Sequence, residues 1–336
     1  MLNVFVAAPE GLRRVALDED GSIPADALWI DLLEPTEHEE RAVEALLGLD
    51  VPTREEMREI EASNRLYEDR GALYMTATVA ARLDSQRPET TAVTFILANG
   101  RLVTNRHVDT RPFQQFVAYA GRHPAACVSA TTVLAGLVDA LIARIADILE
   151  RVAMDLDAIS SAIFMGPESG NGEHRKRSTL SRDLRRLIER IGFSGELNSK
   201  TRESLMSLDR MLMFVQQATN AGGAGHGTSQ ELRERFGSLS RDVASLSDYA
   251  GFLGSKATFL LEATLGLVNV EQNNIIKLFS VAAVLFLPPT LIASIYGMNF
   301  RAMPELDWLL GYPFALMLMI ASMIITFVMF KRKGWL

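Results

Sequence analysis

Apolar positions along the chain follow three different rhythms. Up to about residue 125 they come in short runs broken by polar clusters, after Ala130 they recur every three or four residues, and near the C-terminus they merge into two unbroken stretches. The first rhythm alternates strand-like and helix-like segments. "ALWIDLL" is a short apolar run before "EPTEHEERAVEALLGL", where Thr36 and Glu39 have the spacing of a capping box that opens an amphipathic helix. "LYMTATVAARL" predicts a strand. "TAVTFILANGRLVTNRH" predicts a hairpin, because Asn99 and Gly100 tolerate the positive φ angles of a type I′ turn. Residues 1–130 are therefore an α/β domain with antiparallel pairing.

The second rhythm is helical. One helix is predicted from about Thr131 to Phe164 and another from about His174 to Asn220, with a possible break at "IGFSG", and together they form a long helical hairpin over 131–228. The intervening "MGPESGNGEH" and "NAGGAGHGTSQ" read as loops. The second is glycine-rich, but no strand precedes it and no Gly-Lys-Ser/Thr follows, so it is not a phosphate-binding loop. From Ser229 no proline interrupts the helical pattern before Pro288. Val243, Leu246, Ala250, Leu253, Ala257, Leu260, Thr264 and Leu267 mark a seam at 3-4 spacing. It fits packing within one subunit and a contact between subunits equally well. A helix over 229–296 would be roughly 100 Å long.

The third rhythm is that of a membrane anchor. Leu278–Ile295 is 18 residues and Tyr312–Phe330 is 19 residues without a charge, each long enough for roughly 27–29 Å of the ~30 Å hydrocarbon layer. The first span is placed at about 275–296, the second at 312–330, the loop between them at 297–311 and a basic tail at 331–336. Lys277 flanks the first span, while Lys331, Arg332 and Lys333 follow the second. The positive-inside rule then puts both termini in the cytoplasm and the loop outside, with Glu305 at the outer mouth. Trp308, Tyr312 and Trp335 lie near span ends as interfacial anchors.

The first span carries a polar stripe. Stepping back from Asn299 at helical spacing meets Ser294, Thr290, Leu287, Ala283, Ser280, Ile276 and Asn273, and small or hydroxylic residues on one face suit either a water-filled path or close helix packing. Pro288 and Pro289 lack N–H groups, so the carbonyls of Val284 and Leu285 lose their intrahelical donors. Ser322 and Thr326 in the second span are four apart and can bond back to their own helix.

Charge separates the two parts. From Asn273 onward five basic residues face Glu305 and Asp307, a balance of +3, so the overall −7 leaves −10 on residues 1–272. An acidic soluble part excludes a nucleic-acid partner and suits cation handling. The single Cys127 permits neither an intrachain disulfide nor a Cys-rich zinc site, and the N-terminal stretch shows no secretory leader. His38, His107, His123, His174 and His226 fall in no catalytic or metal-binding spacing, so no enzyme is expected and no organic cofactor is implied.

"YGMNF", the "MPEL" at Met303–Leu306, two C-terminal spans and the tail "KRKGWL" resemble the CorA family of divalent-cation channels, best known for Mg²⁺. The resemblance implies a funnel-shaped homopentamer in the cell (inner) membrane, its pore lined by the first span of each subunit. Gly297, Met298 and Asn299 fall on the family's selectivity motif. Asn273, Ile276, Phe279, Ser280, Ala283, Leu287, Thr290 and Asn299 fall on pore-facing positions, with Ile276, Phe279 and Leu287 as the apolar gate. Lys331, Arg332 and Lys333 correspond to the basic ring. Asp242, with Asp248 as the weaker rival, corresponds to a regulatory Mg²⁺ site on the stalk. Two departures stand out: Arg301 replaces a frequent acid just after the motif, and Leu287 replaces a frequent Met in the neck. The function so implied is passive, potential-driven Mg²⁺ uptake gated by intracellular Mg²⁺, with Co²⁺ and Ni²⁺ as further candidates. The alternatives are a zinc transporter of the same superfamily and a membrane-anchored coiled-coil scaffold that transports nothing.

Overall fold

The computed structural model of the protein describes residues 1–16, 23–59, 61–85, 87–164, 177–220, 230–298, 308 and 310–333. The chain divides into two compact units, Met1–Glu173 with Arg185–Leu261, and His174–Leu184 with Glu262–Leu336.

The first unit is built on a seven-stranded sheet. Its strands are β1 (Leu2–Ala8), β2 (Gly11–Val15), β3 (Ala27–Leu33), β4 (Leu66–Asp69), β5 (Ala72–Ala81), β6 (Glu89–Ala98) and β7 (Arg101–Arg106), in the order β2-β1-β3-β7-β6-β5-β4. Every pairing is antiparallel except β3 with β7. The predicted hairpin is β6–β7: Asn99 (φ 52°) and Gly100 (φ 73°) both sit in the left-handed region, and Ala98 pairs with Arg101.

Strand alternation sends side chains to two cores. Ile30 and Leu32 pack with Val43 and Leu47 of α1 (Glu37–Leu47) on one face. Trp29, Phe95 and Leu102 pack on the other with Phe113 and Phe116 of α3 (Arg111–Ala120) and with the long helices; a single turn, α2, occupies Ala62–Arg65. The capping box is formed as predicted. Glu39 N donates to Thr36 Oγ1 at 3.4 Å and Thr36 N to Glu39 Oε2 at 2.9 Å, and Gly48 closes the helix at φ 70°.

A polar network that sequence reading passes over lies inside the larger core. Asp31 is 2% exposed and takes a fork from Arg106, Nε at 2.8 Å to Oδ1 and Nη2 at 2.9 Å to Oδ2. Thr104 Oγ1 donates to it at 2.8 Å and Asn3 Nδ2 at 3.2 Å, while Trp29 Nε1 donates to Thr104 at 3.0 Å. Arg106 also reaches Asp109 and covers the Phe113 ring at 4.5 Å. The signal in the sequence was an acid amid the apolar run "ALWIDLL", which must find partners if the strand is buried on both faces.

Helices α4 (Ala130–Phe164) and α5 (Arg177–Asn220) match the predicted pair at the ends that are described. Of the predicted loops, 165–174 and 221–229 lie outside the described residues, and the end residues Asn220 and Gln230 of the second belong to α5 and to the helix that follows. The expected break at "IGFSG" does not occur, and α5 runs through it. Tertiary contacts outweigh the cost of Gly192 and Gly195 there: Ile191 and Leu197 are buried in the core, and Ser194 Oγ donates to Asp155 of α4 at 2.8 Å.

Helix α6 is continuous from Gln230 to Tyr296. Its seam residues Val243, Ala250, Leu253, Ala257 and Leu260 are buried in one core with Leu149 and Val152 of α4 and Leu205 and Leu212 of α5. Asn198 Nδ2 donates to the Ala250 carbonyl at 3.0 Å, and a Cβ on Gly254 would come within 3.3 Å of that amide. For this stretch the seam packs within the subunit.

Candidate ion pathway

The second unit contains the C-terminal part of α6 and α7 (Gly311–Arg332), the two helices long and apolar enough to cross a membrane. Only 6% and 11% of their most apolar windows are buried. A core helix of a soluble protein would be mostly covered, so these apolar surfaces fit a membrane protein.

One uninterrupted helix carries Asn273, Ile276, Phe279, Ser280, Ala283, Leu287 and Thr290, with Pro288 and Pro289 inside it. Their three- and four-residue spacing puts them along one side. All seven are exposed in the single chain. The three gate candidates are strongly so, at 61% for Ile276, 70% for Phe279 and 70% for Leu287. Thr290 Oγ1 donates to the Phe286 carbonyl at 2.7 Å, not to either carbonyl that the prolines deprive of a donor.

Gly297 ends α6. Its N–H reaches the Ala293 carbonyl at 3.0 Å, and Met298 N–H reaches Ile295 at 3.3 Å. Its backbone is not left-handed, unlike Gly48. A Cβ there would lie 3.1 Å from the Ala293 oxygen, a close contact. Gly297 and Met298 are exposed, while Asn299, Arg301, Glu305 and Trp335 lie outside the described residues.

In α7, Ser322 Oγ donates to Met319 O at 2.7 Å and Thr326 Oγ1 to Ser322 O at 2.9 Å, the back-bonding expected of a helix whose hydroxyls serve their own backbone. Lys331, Arg332 and Lys333 are exposed at its C-terminal end, where cations complement the helix dipole. Trp308 and Tyr312 are exposed near its start.

Asp242 and Asp248 are both exposed on α6. Six residues apart, they point about 120° away from each other around the helix. Among the described residues no group of three His, Cys, Asp or Glu side chains could hold a metal ion.

Comparison with known proteins places this geometry. The family model described as "CorA-like Mg2+ transporter protein" matches residues 24–332. The chain is 35% identical over 336 residues to the magnesium transport protein CorA of Salmonella typhimurium and 36% identical to that of Yersinia pseudotuberculosis, covering all of both chains in each case. Among solved structures, the CorA magnesium transporter of Methanocaldococcus jannaschii superposes with a TM-score of 0.76 at 20% identity, covering 100% of this chain and 99% of that one. The ZntB cytoplasmic domain of Vibrio parahaemolyticus shares the fold with a TM-score of 0.56 at 8% identity, over 80% of this chain and 97% of that one. With nearly its whole length matched by the family model, and full-length relatives above one-third identity, the chain belongs to the CorA-like Mg²⁺ transporter family.

Proposed function

We propose that the protein is a homopentameric channel that admits Mg²⁺ down the membrane potential, its pore lined by the side of α6 running from Asn273 to Thr290. The observation that carries this reading is that Asn273, Ser280, Ala283 and Thr290 lie along one side of a continuous, largely exposed apolar helix, in line with Ile276, Phe279 and Leu287. In the sequence, Gly297-Met298-Asn299 follows directly on the end of that helix. Polar groups inside a bilayer face protein or water, and five copies of such a face would enclose a lumen. The Mg²⁺ transport named for the full-length relatives supports the choice of ion.

Mg²⁺ sheds water reluctantly and prefers oxygen ligands. A ring of Asn299 carboxamides accepts hydrogen bonds from the waters of the hydrated ion without stripping them. Carboxylates would hold it more tightly, whereas conduction needs release as well as capture. Ile276, Phe279 and Leu287 form the apolar constriction, and Leu287 narrows it with less side-chain freedom than a Met. Arg301 near the outer mouth weakens cation capture relative to an acid there. Glu305 restores some negative charge. Intracellular Mg²⁺ bound between neighbouring subunits, with Asp242 as first candidate ligand and Asp248 as second, closes the pore. Both termini and the basic ring Lys331, Arg332 and Lys333 lie on the cytoplasmic side of the inner membrane.

Offering Mg²⁺, Co²⁺, Ni²⁺ and Zn²⁺ separately to proteoliposomes tests the assignment. Mg²⁺ is expected to enter at least as fast as the others. Zinc entry without Mg²⁺ entry would move the protein to the zinc-transporting branch, and no entry of any ion would leave the scaffold reading.

A further inference from the structure

Away from the membrane, the first unit holds a basic cluster that ion conduction does not use. Asp84, in the loop between β5 and β6, receives three arginines. Arg111 Nη1 lies 3.0 Å and Arg144 Nη2 2.7 Å from its Oδ2, and Arg151 Nη2 lies 3.0 Å from its Oδ1. Three cations on one anion leave an excess of two positive charges. Three guanidiniums carry about fifteen N–H donors, against the roughly four lone-pair positions of one carboxylate.

Beside this cluster is a cleft of about 360 Å³ walled by the β5–β6 loop, the start of α3 and Arg144 of α4. Its volume lies in the range of small-ligand sites. The first turn of α3 has no acidic residue and no side-chain cap. Thr110, which occupies the capping position and lines the cleft, is 6% exposed, and its hydroxyl has no hydrogen-bond partner among the described residues. A buried hydroxyl left without a partner costs stability unless something supplies one. Two other charged residues border the cleft and are already engaged: Arg82 pairs with Glu89 at 3.1 Å, and Asp109 accepts from Arg106 at 2.8 Å. Burial alone would raise the Asp84 carboxyl, yet the charge and hydrogen bond of Arg144, with Arg151 and Arg111, hold it below the usual aspartate value.

We propose that this cleft binds a phosphate group, free or esterified to a small organic molecule, on Arg111 and Arg144 at the α3 N-terminus, with Asp84 as the built-in competitor. Planar guanidiniums match the oxygen edges of phosphate, and the α3 N-terminus adds partial positive charge, with Pro112 contributing no N–H and Asp109 standing just before the cap. Asp84 then sets the affinity, because it holds the same donors when the ligand is absent.

Titration calorimetry on the full-length protein in detergent tests this, with sodium phosphate and adenosine monophosphate as separate probes in Mg²⁺-free buffer at constant ionic strength. Arg111 is 64% exposed, so Arg111→Gln should fold normally. It is expected to weaken binding about tenfold or more, the loss of one charge-assisted hydrogen bond. Asp84→Asn is expected to act in the opposite sense and tighten it by a similar factor. Tighter binding of the nucleotide than of phosphate would identify an esterified ligand, and the reverse a free one. Absence of saturable binding of either probe, in wild type and Asp84→Asn alike, would overturn the proposal, as would affinities unchanged by Arg111→Gln. An arginine cluster that only ties the loop to α3 and α4 predicts that outcome.

Discussion

Replacing Asn299 by alanine is expected to lower Mg²⁺ entry into proteoliposomes by at least about tenfold while the assembly stays intact. In a pentamer the change removes five carboxamides from one ring. Each net hydrogen bond is worth about 0.5–1.5 kcal/mol, so even partial loss across the ring exceeds the roughly 1.4 kcal/mol that makes a factor of ten. Size-exclusion chromatography of the variant checks that subunits still associate. Asn299→Asp separates charge from hydrogen bonding: it is expected to bind Mg²⁺ more tightly and conduct it more slowly. Undiminished flux in Asn299→Ala would remove Asn299 from the pathway.

The largest effect on stability is expected at Asp31. The Asp31 and Arg106 side chains are only 3% and 5% exposed, and Asp31→Ala leaves the guanidinium in the core with one charged partner, Asp109. Removing one member of a buried pair costs about 3–5 kcal/mol. The thermal midpoint of the full-length protein should fall clearly. Joining Asp31→Leu to Arg106→Met should recover much of that loss, since an apolar pair of similar volume avoids the desolvation penalty of two buried charges. A midpoint unmoved by Asp31→Ala would show that the network carries no stability.

Elements whose signals are local could be read from the sequence. The capping box at Thr36 and Glu39, the Asn99-Gly100 turn and the apolar lengths of the two terminal helices each depend on neighbours a few positions away. Elements set by distant contacts were harder to read. Gly11 opens β2 at φ 136°, and a Cβ there would meet the Ala120 carbonyl at 2.3 Å, a constraint visible only once α3 is in place. Helix α3 lacks a capping bond at Thr110, and its start is marked locally only by Thr110 at the cap position and Pro112 in the first turn. The break expected at Gly192 and Gly195 was a local inference overruled by packing against α4. The parallel pairing of β3 with β7 joins residues about 70 positions apart and leaves no local trace.

For the candidate site, helical periodicity alone aligns Asn273 with Thr290 on one side of α6. The ring that would make that face a pore needs other copies of the chain, which periodicity in one chain cannot specify. The same holds for Asp242 and Asp248: each is a lone exposed acid in one chain, and the regulatory site proposed for them would need ligands from another copy. The arginines around Asp84 come from the β5–β6 loop's neighbours α3 and α4, and their convergence has no sequence signature.

Mg²⁺ entry into proteoliposomes at an imposed membrane potential, without ATP and without a pH gradient, tests the central claim most directly. A divalent ion gains about 4.6 kcal/mol per 100 mV from the field, so a passive pore predicts entry that rises steeply as the interior is made negative. Entry that ignores the potential and follows an imposed pH gradient would contradict it.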